Sequence, residues 1–90
     1  MGGYDINQIS DTHELKIFPE YLEAILDETK TFEVRKNDRN YKVNDILMLK
    51  EWNKDKGYTG RWITVKICYI LDNPDYCKDG FIILGIKLDY

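Results

Sequence analysis

"KTFEVRKNDR", residues 30–39, alternates two apolar side chains, Phe32 and Val34, with Thr31, Glu33 and Arg35 before running into a base-rich turn. A period of two is the pattern of a half-buried strand, with the apolar pair facing the core and the polar triplet on the other face. Residues two apart on that face are about 7 Å from one another, so Glu33 and Arg35 are within reach of an ion pair. Two readings stay open. The pair is either an exposed surface contact worth about 0–1 kcal/mol, or part of a polar face that floors a recognition cleft, with the turn over residues 36–39 holding guanidinium groups beside it. Asn37, Asp38 and Asn40 are turn formers that end the strand.

Outward from this strand the periodicity changes twice. In "HELKIF", residues 13–18, Leu15 and Ile17 alternate with Glu14 and Lys16, which predicts a first strand. Pro19 suits a first helical position, and Tyr21 or Leu22 with Ile25 and Leu26 gives three-to-four spacing, so residues 19–27 form a short amphipathic helix. On the other side, an Asn44-Asp45 turn leads into a third strand, "ILMLKEW", residues 46–52, and "NKDKGYTGR" reads as a long hairpin loop. A fourth strand spans residues 62–71, with Ile63, Val65, Ile67 and Tyr69 opposing Thr64, Lys66, Cys68 and Ile70. "DNPDYCKDG" is a loop, and "FIILGIKL", residues 81–88, is a fifth strand whose continuous apolar run suggests burial on both faces. Gly85 fits a bend or bulge there. Five strands and one early helix without βαβ alternation indicate an α+β fold, a small curved sheet or β-barrel. Residues 1–11 read as a flexible lead-in, and residues 12–90 as a single domain.

The 90-residue chain supports one core, and 43% hydrophobic with 32% charged residues is the balance of a folded, water-soluble domain. Its net charge of −3 gives no long-range attraction for phosphate backbones. The charge is uneven, however. Residues 30–42 carry five bases against two acids, and residues 50–66 carry five against two again. If the two runs meet in space they form a positive patch on an acidic body; otherwise they are two solvated loops. No apolar run reaches the roughly 18 residues of a membrane span and no signal-peptide core is present, so the cytoplasm is the expected location. With one histidine and no paired Cys-x-x-Cys, neither a metal nor a cofactor is expected. Cys68 is read as core packing and Cys77 as a free loop thiol.

The stretch "ETKTFEVR" resembles the Gly-x-Lys-x-x-Glu-x-Arg signature of the ASCH domains, small barrels of the PUA-like superfamily. The longer run "HELKIFPEYLEAILDETKTFEVRKNDRNYKVNDILMLKEW", followed by "GYTGR", resembles a small bacterial and phage family, domain of unknown function 3850. Glu28 and Asn44 stand where that family usually has glycine, so both are expected to meet a backbone that favours positive φ, at about 1 kcal/mol for Glu28. The resemblance implies a PUA-like barrel with RNA, a nucleotide or a modified nucleoside in a cleft beside the segment after the helix, and matches Lys30, Glu33 and Arg35 to the signature. Chemically, Arg35 or Arg39 suits a phosphate or base edge, Lys30 supplies a mobile charge, and Glu33 accepts from an exocyclic amine. Arg61 and His13 are further candidate ligand-binding residues. Trp52 and Tyr58 offer stacking faces, although Trp52 equally suits capping of the core.

Some ASCH-like proteins are amidohydrolases on acylated cytidine, using a lysine, a threonine and a glutamate. Lys30 matches the lysine, but Glu33 occupies the nucleophile position, and Thr31 lies two residues early on the same strand face. Catalysis would therefore rest on Lys30, Glu33 and Thr31. A protein-protein adaptor of phage origin is the remaining alternative. His13, the only histidine, reads as a surface or capping residue.

Overall fold

The structure is a computed structural model and describes residues 10–89; the first nine residues of the expected lead-in lie outside the described residues. The elements are β1 (Thr12–Ile17), α1 (Pro19–Leu26), β2 (Phe32–Lys36), β3 (Ile46–Asn53), β4 (Gly57–Leu71) and β5 (Phe81–Leu88). The five strands form one sheet in the order β1-β3-β4-β5-β2, in which β1 and β3 are parallel and the other neighbours antiparallel. The sheet curls into a half-barrel, and β1 and β2 are its two edges. No helix among the described residues is long and apolar enough to cross a membrane.

The expected alternation in β1 holds: Leu15 and Ile17 point inward against Leu47 and Leu49 of β3, and α1 adds Leu22 and Ile25. Val65 and Ile67 of β4 and Ile82, Leu84 and Ile86 of β5 complete one apolar core on the concave face. The helix ends on Glu28 at φ +64°, and Asn44 sits at φ +79°, so the two positions where the family usually has glycine do carry the left-handed backbone.

Four expectations are corrected. The face assignment of β2 is inverted: Glu33 is buried, while Phe32 and Val34 are about half exposed. The ladder explains it, because Glu33 lies opposite the core residue Leu84 and Arg35 opposite Ile82, and opposed residues share a face. The "NKDKGYTGR" hairpin is tight rather than long. Asn53 Oδ1 accepts from the backbone N–H of Asp55 and Lys56, which closes a short turn and lets Gly57 and Tyr58 pair with Asn53 and Trp52. Cys68 is exposed, because the β4–β5 register shifts between Ile67 and Tyr69; the extra residue turns Cys68 and Tyr69 outward and brings Ile70 toward the core. Gly85 faces this bulge, where a Cβ would come within 3.2 Å of the Tyr69 Cβ. Finally, His13 is not a surface residue. It is buried beneath Tyr41, 4.8 Å between ring centroids, and its Nε2 lies 2.8 Å from Asp45 Oδ2.

Asp45 is the anchor of this corner. Its carboxylate, 0% exposed, accepts from the backbone N–H of Asp11 and of Lys42 and meets the His13 ring, so it ties the start of β1 to the turn before β3. Asp11, expected in the flexible lead-in, is thereby fixed. Burial pushes the Asp45 carboxyl up, but the His13 contact, the two N–H donors and the Lys42 ammonium outweigh it, and the group sits below its ordinary value of 3.8. A carboxyl whose folded value is below its unfolded one stabilises the fold at higher pH and loses that contribution as pH falls through the acid range, below about pH 5. We therefore expect Asp45→Asn to lower stability at pH 7 by about 1–3 kcal/mol and to flatten the acid limb of the stability profile. Urea unfolding of both proteins across the acid range measures this.

Candidate functional site

An edge strand exposes a row of unpaired backbone carbonyls. Here both edges of the sheet lie side by side, and no backbone ladder joins them. Arginine side chains bridge the gap instead. Arg35 Nη2, from β2, donates to the carbonyl of Lys16 at 2.8 Å, and Arg39 Nη1, just beyond β2, donates to the carbonyl of Glu14 at 3.1 Å. Glu14 and Lys16 are two apart on β1, so their carbonyls leave the same edge of the strand.

At one end of this seam lies a cleft of about 450 Å³ between the end of β1, the start of α1 and β2. Its floor is Glu33, 4% exposed. A carboxylate in such a place is tolerated only when compensated, and here both oxygens are engaged. Lys30 Nζ pairs with Oε1, and Arg35 donates to Oε2 from Nε at 2.8 Å, with its Nη2 lying 2.7 Å from the same oxygen in the ion pair. Lys30 Nζ also donates to the carbonyl of Phe32. The strand register that inverted β2 is what places this carboxylate inside, and the left-handed turn at Glu28 swings Lys30 over it.

The rim of the cleft is aromatic. Phe18, Tyr21 and Phe32 line it and are each nearly half exposed. Lys30 Nζ lies 5.5 Å from the Tyr21 ring centroid and 5.1 Å from that of Phe32. By its pattern Phe32 belongs to the core and Tyr21 to the apolar stripe of the helix, and neither they nor Phe18 were expected at a site. An available signal was the aromatic pair flanking Pro19, one residue before the helix and one in its first turn.

The expected residues divide into three groups. Lys30, Glu33 and Arg35 are brought together in the cleft. Arg39 and Tyr58 line a neighbouring hollow of about 340 Å³, with Lys16, Arg35, Lys50 and Glu14. The two basic runs therefore do meet in space, through Arg35 and Arg39 of one and Lys50 of the other. Trp52 borders neither hollow; its ring lies under Lys16 Nζ at 4.5 Å and 6.1 Å from Phe18. Arg61 and His13 are held elsewhere. Arg61 bridges Glu23 of α1 at 2.5 Å and the buried Glu51 of β3 at 3.2 Å, and the Glu23 contact raises its guanidinium pKa. It clamps the helix to the sheet. His13 is committed to Asp45.

Thr31 does not share the cleft with Glu33. It precedes β2, its carbonyl accepts from Ile86 N–H at 2.9 Å, and it borders a separate small hollow beside Ile86 and Leu88. Lys30 borders both hollows, whereas Thr31 lines only the smaller one and Glu33 only the larger. Among the described residues, no group of three or more His, Cys, Asp or Glu side chains is placed to hold a metal ion.

Fold and site together define a small α+β half-barrel with an aromatic, ion-paired cleft at its open seam. The chain belongs to the family described as domain of unknown function (DUF3850), whose model matches residues 12–86. It is also similar to the "Uncharacterized 12.9 kDa protein in GpA 3'region" of Escherichia phage P2, with 37% identity over 67 residues, 74% of this chain. The chain spans 61% of the length of that relative.

The planar fork of Arg35 serves Glu33 and the β1 edge at once from two separate nitrogens, a fixed spread that the point charge of a lysine does not reproduce. Arg35→Lys is expected to lower stability by about 1–3 kcal/mol, with faster amide exchange along β2. Urea unfolding with hydrogen exchange checks both.

Proposed function

We propose that the seam cleft binds an unpaired nucleobase, as part of RNA or of a nucleotide, and that the domain is of the PUA-like, ASCH type that its signature resembles. The observation that carries this reading is the Lys30–Glu33–Arg35 cluster at the floor of a cleft rimmed by Phe18, Tyr21 and Phe32.

Each part has a use toward a base. Aromatic rings at the rim provide stacking faces, which every base accepts. A carboxylate oxygen has more than one lone pair, so Glu33 retains capacity to accept from an exocyclic amine or ring N–H of the ligand. The ammonium of Lys30 has three donors, and two of them go to Glu33 and to the Phe32 carbonyl. The third is available for a base carbonyl. Arg35 contributes Nη1, which makes no hydrogen bond among the described residues, toward a phosphate or a second carbonyl. The groups are pre-arranged by their mutual ion pairs, so little side-chain entropy remains to be lost on binding. The cleft volume lies within the roughly 300–1,000 Å³ of small-ligand sites.

Fluorescence anisotropy with labelled single-stranded RNA of mixed sequence tests this. Tyr21→Ala and Phe32→Ala should each weaken binding by about 1–3 kcal/mol, the range for a stacked base, while the thermal midpoint changes little because both rings are half exposed. Absence of binding to oligonucleotides and to nucleotides at millimolar concentration contradicts the proposal and leaves the protein-adaptor reading.

A further inference from the structure

The hollow beside the cleft has no part in holding a single base, yet it is built from the same seam. The two share Lys16 and Arg35 in their linings, so they adjoin one another along the β1 edge, on either side of the Arg35–Lys16 bridge. Lys16, Arg35, Arg39 and Lys50 line the hollow with one carboxylate, Glu14, whose side chain is largely exposed and whose contact with Lys50 is a loose 3.4 Å; Arg35 is paired with Glu33, and Arg39 lies 3.9 Å from Asp38. Lys16 has no carboxylate within 4.0 Å among the described residues; its ammonium lies over Trp52. Tyr58 closes the hollow with a ring that is 56% exposed, 5.0 Å from Lys50 Nζ.

Both arginines are tethered to the β1 edge, although Arg39 is 44% exposed. Their donors to the carbonyls of Lys16 and Glu14 fix them to positions two residues apart on one strand edge, about 7 Å. That separation is comparable with the step between successive phosphates of an extended single strand. Beyond the second guanidinium stands an aromatic face, Tyr58, of the kind on which a next base stacks. A mononucleotide in the cleft would leave this second cation and this ring unused.

From this we infer that the ligand is a single-stranded oligonucleotide. Its first base occupies the aromatic cleft, and the following phosphate and base occupy a second subsite formed by Arg39, Lys50 and Tyr58. The inference rests on the nucleobase reading of the cleft and adds to it the class of ligand, a strand of at least two nucleotides, and its path along β1.

The test compares nucleoside 5′-monophosphates, which lack the following phosphate, with single-stranded RNA oligonucleotides of two to six nucleotides, by calorimetry over a range of salt concentrations. Wild-type affinity should rise at least tenfold from monophosphate to trinucleotide and then level off. The slope of log K against log salt should steepen by about 0.7 for each phosphate engaged. Lys50→Gln and Tyr58→Ala, both on the outer side of the groove, should remove most of the gain with length and leave monophosphate affinity within twofold; unchanged thermal midpoints show that they fold. Length-independent wild-type affinity overturns the second subsite while the cleft reading stands. So does a Lys50→Gln or Tyr58→Ala effect as large on monophosphates as on trinucleotides. A poly-glutamate peptide that displaces the trinucleotide at equal charge concentration, with binding indifferent to Tyr58→Ala, overturns it in favour of an acidic peptide. Failure of monophosphates and oligonucleotides alike to bind overturns both readings.

Discussion

Everything distinctive in this molecule depends on one unclosed seam. The strand order puts β1 and β2 at opposite ends of a sheet that curls until the two edges face one another, yet no ladder forms between them. An open edge with free carbonyls invites pairing with another chain. Here the guanidinium groups of Arg35 and Arg39 occupy the donor positions that a neighbouring strand would supply. They satisfy the edge and, being bulkier than a backbone N–H, hold the two strands apart. The groove is the space that this substitution leaves.

Glu33 follows from the same constraint. A guanidinium beside a partly desolvated seam needs an anion, and the carboxylate facing it needs cations in turn. The Lys30–Glu33–Arg35 cluster meets both needs with side chains from one short strand and the turn before it. Such a cluster contributes little net stability compared with apolar packing of the same volume. On the proposed reading its place at the floor of an aromatic cleft serves recognition, where pre-arranged donors and acceptors limit the entropy lost on binding.

Much of the architecture was legible in local pattern. Leu15 and Ile17, the helix after Pro19 and the third and fifth strands all follow from neighbours within a few residues, whereas the positive φ at Glu28 and Asn44 was expected only from the resemblance to a family with glycine there. What was not legible depended on partners distant in sequence. The fifth strand is apolar on both faces, so nothing local says which face of β2 it turns inward; the pairing of Glu33 with Leu84 decides that. His13 is buried because Asp45, 32 residues away, meets it. Cys68 is exposed because the register of β4 shifts against β5. For the site, the signature residues Lys30, Glu33 and Arg35 were visible as a spacing. The rim of Phe18, Tyr21 and Phe32 was hidden, since an aromatic at strand or helix spacing reads as core until its face is known.

The central claim is that the arginine-bridged seam is a binding groove and not merely a closed edge. Its most direct measurement is a two-dimensional NMR titration with a short single-stranded RNA, following backbone amides together with the side-chain Nε–H of Arg35. The account predicts shifts concentrated at Lys16, Tyr21, Lys30, Phe32, Glu33 and Arg35, with the Arg35 Nε–H among the largest, and none along the outer face of β4. Shifts confined to residues away from the seam, or an Arg35 Nε–H that does not move at saturation, would contradict it.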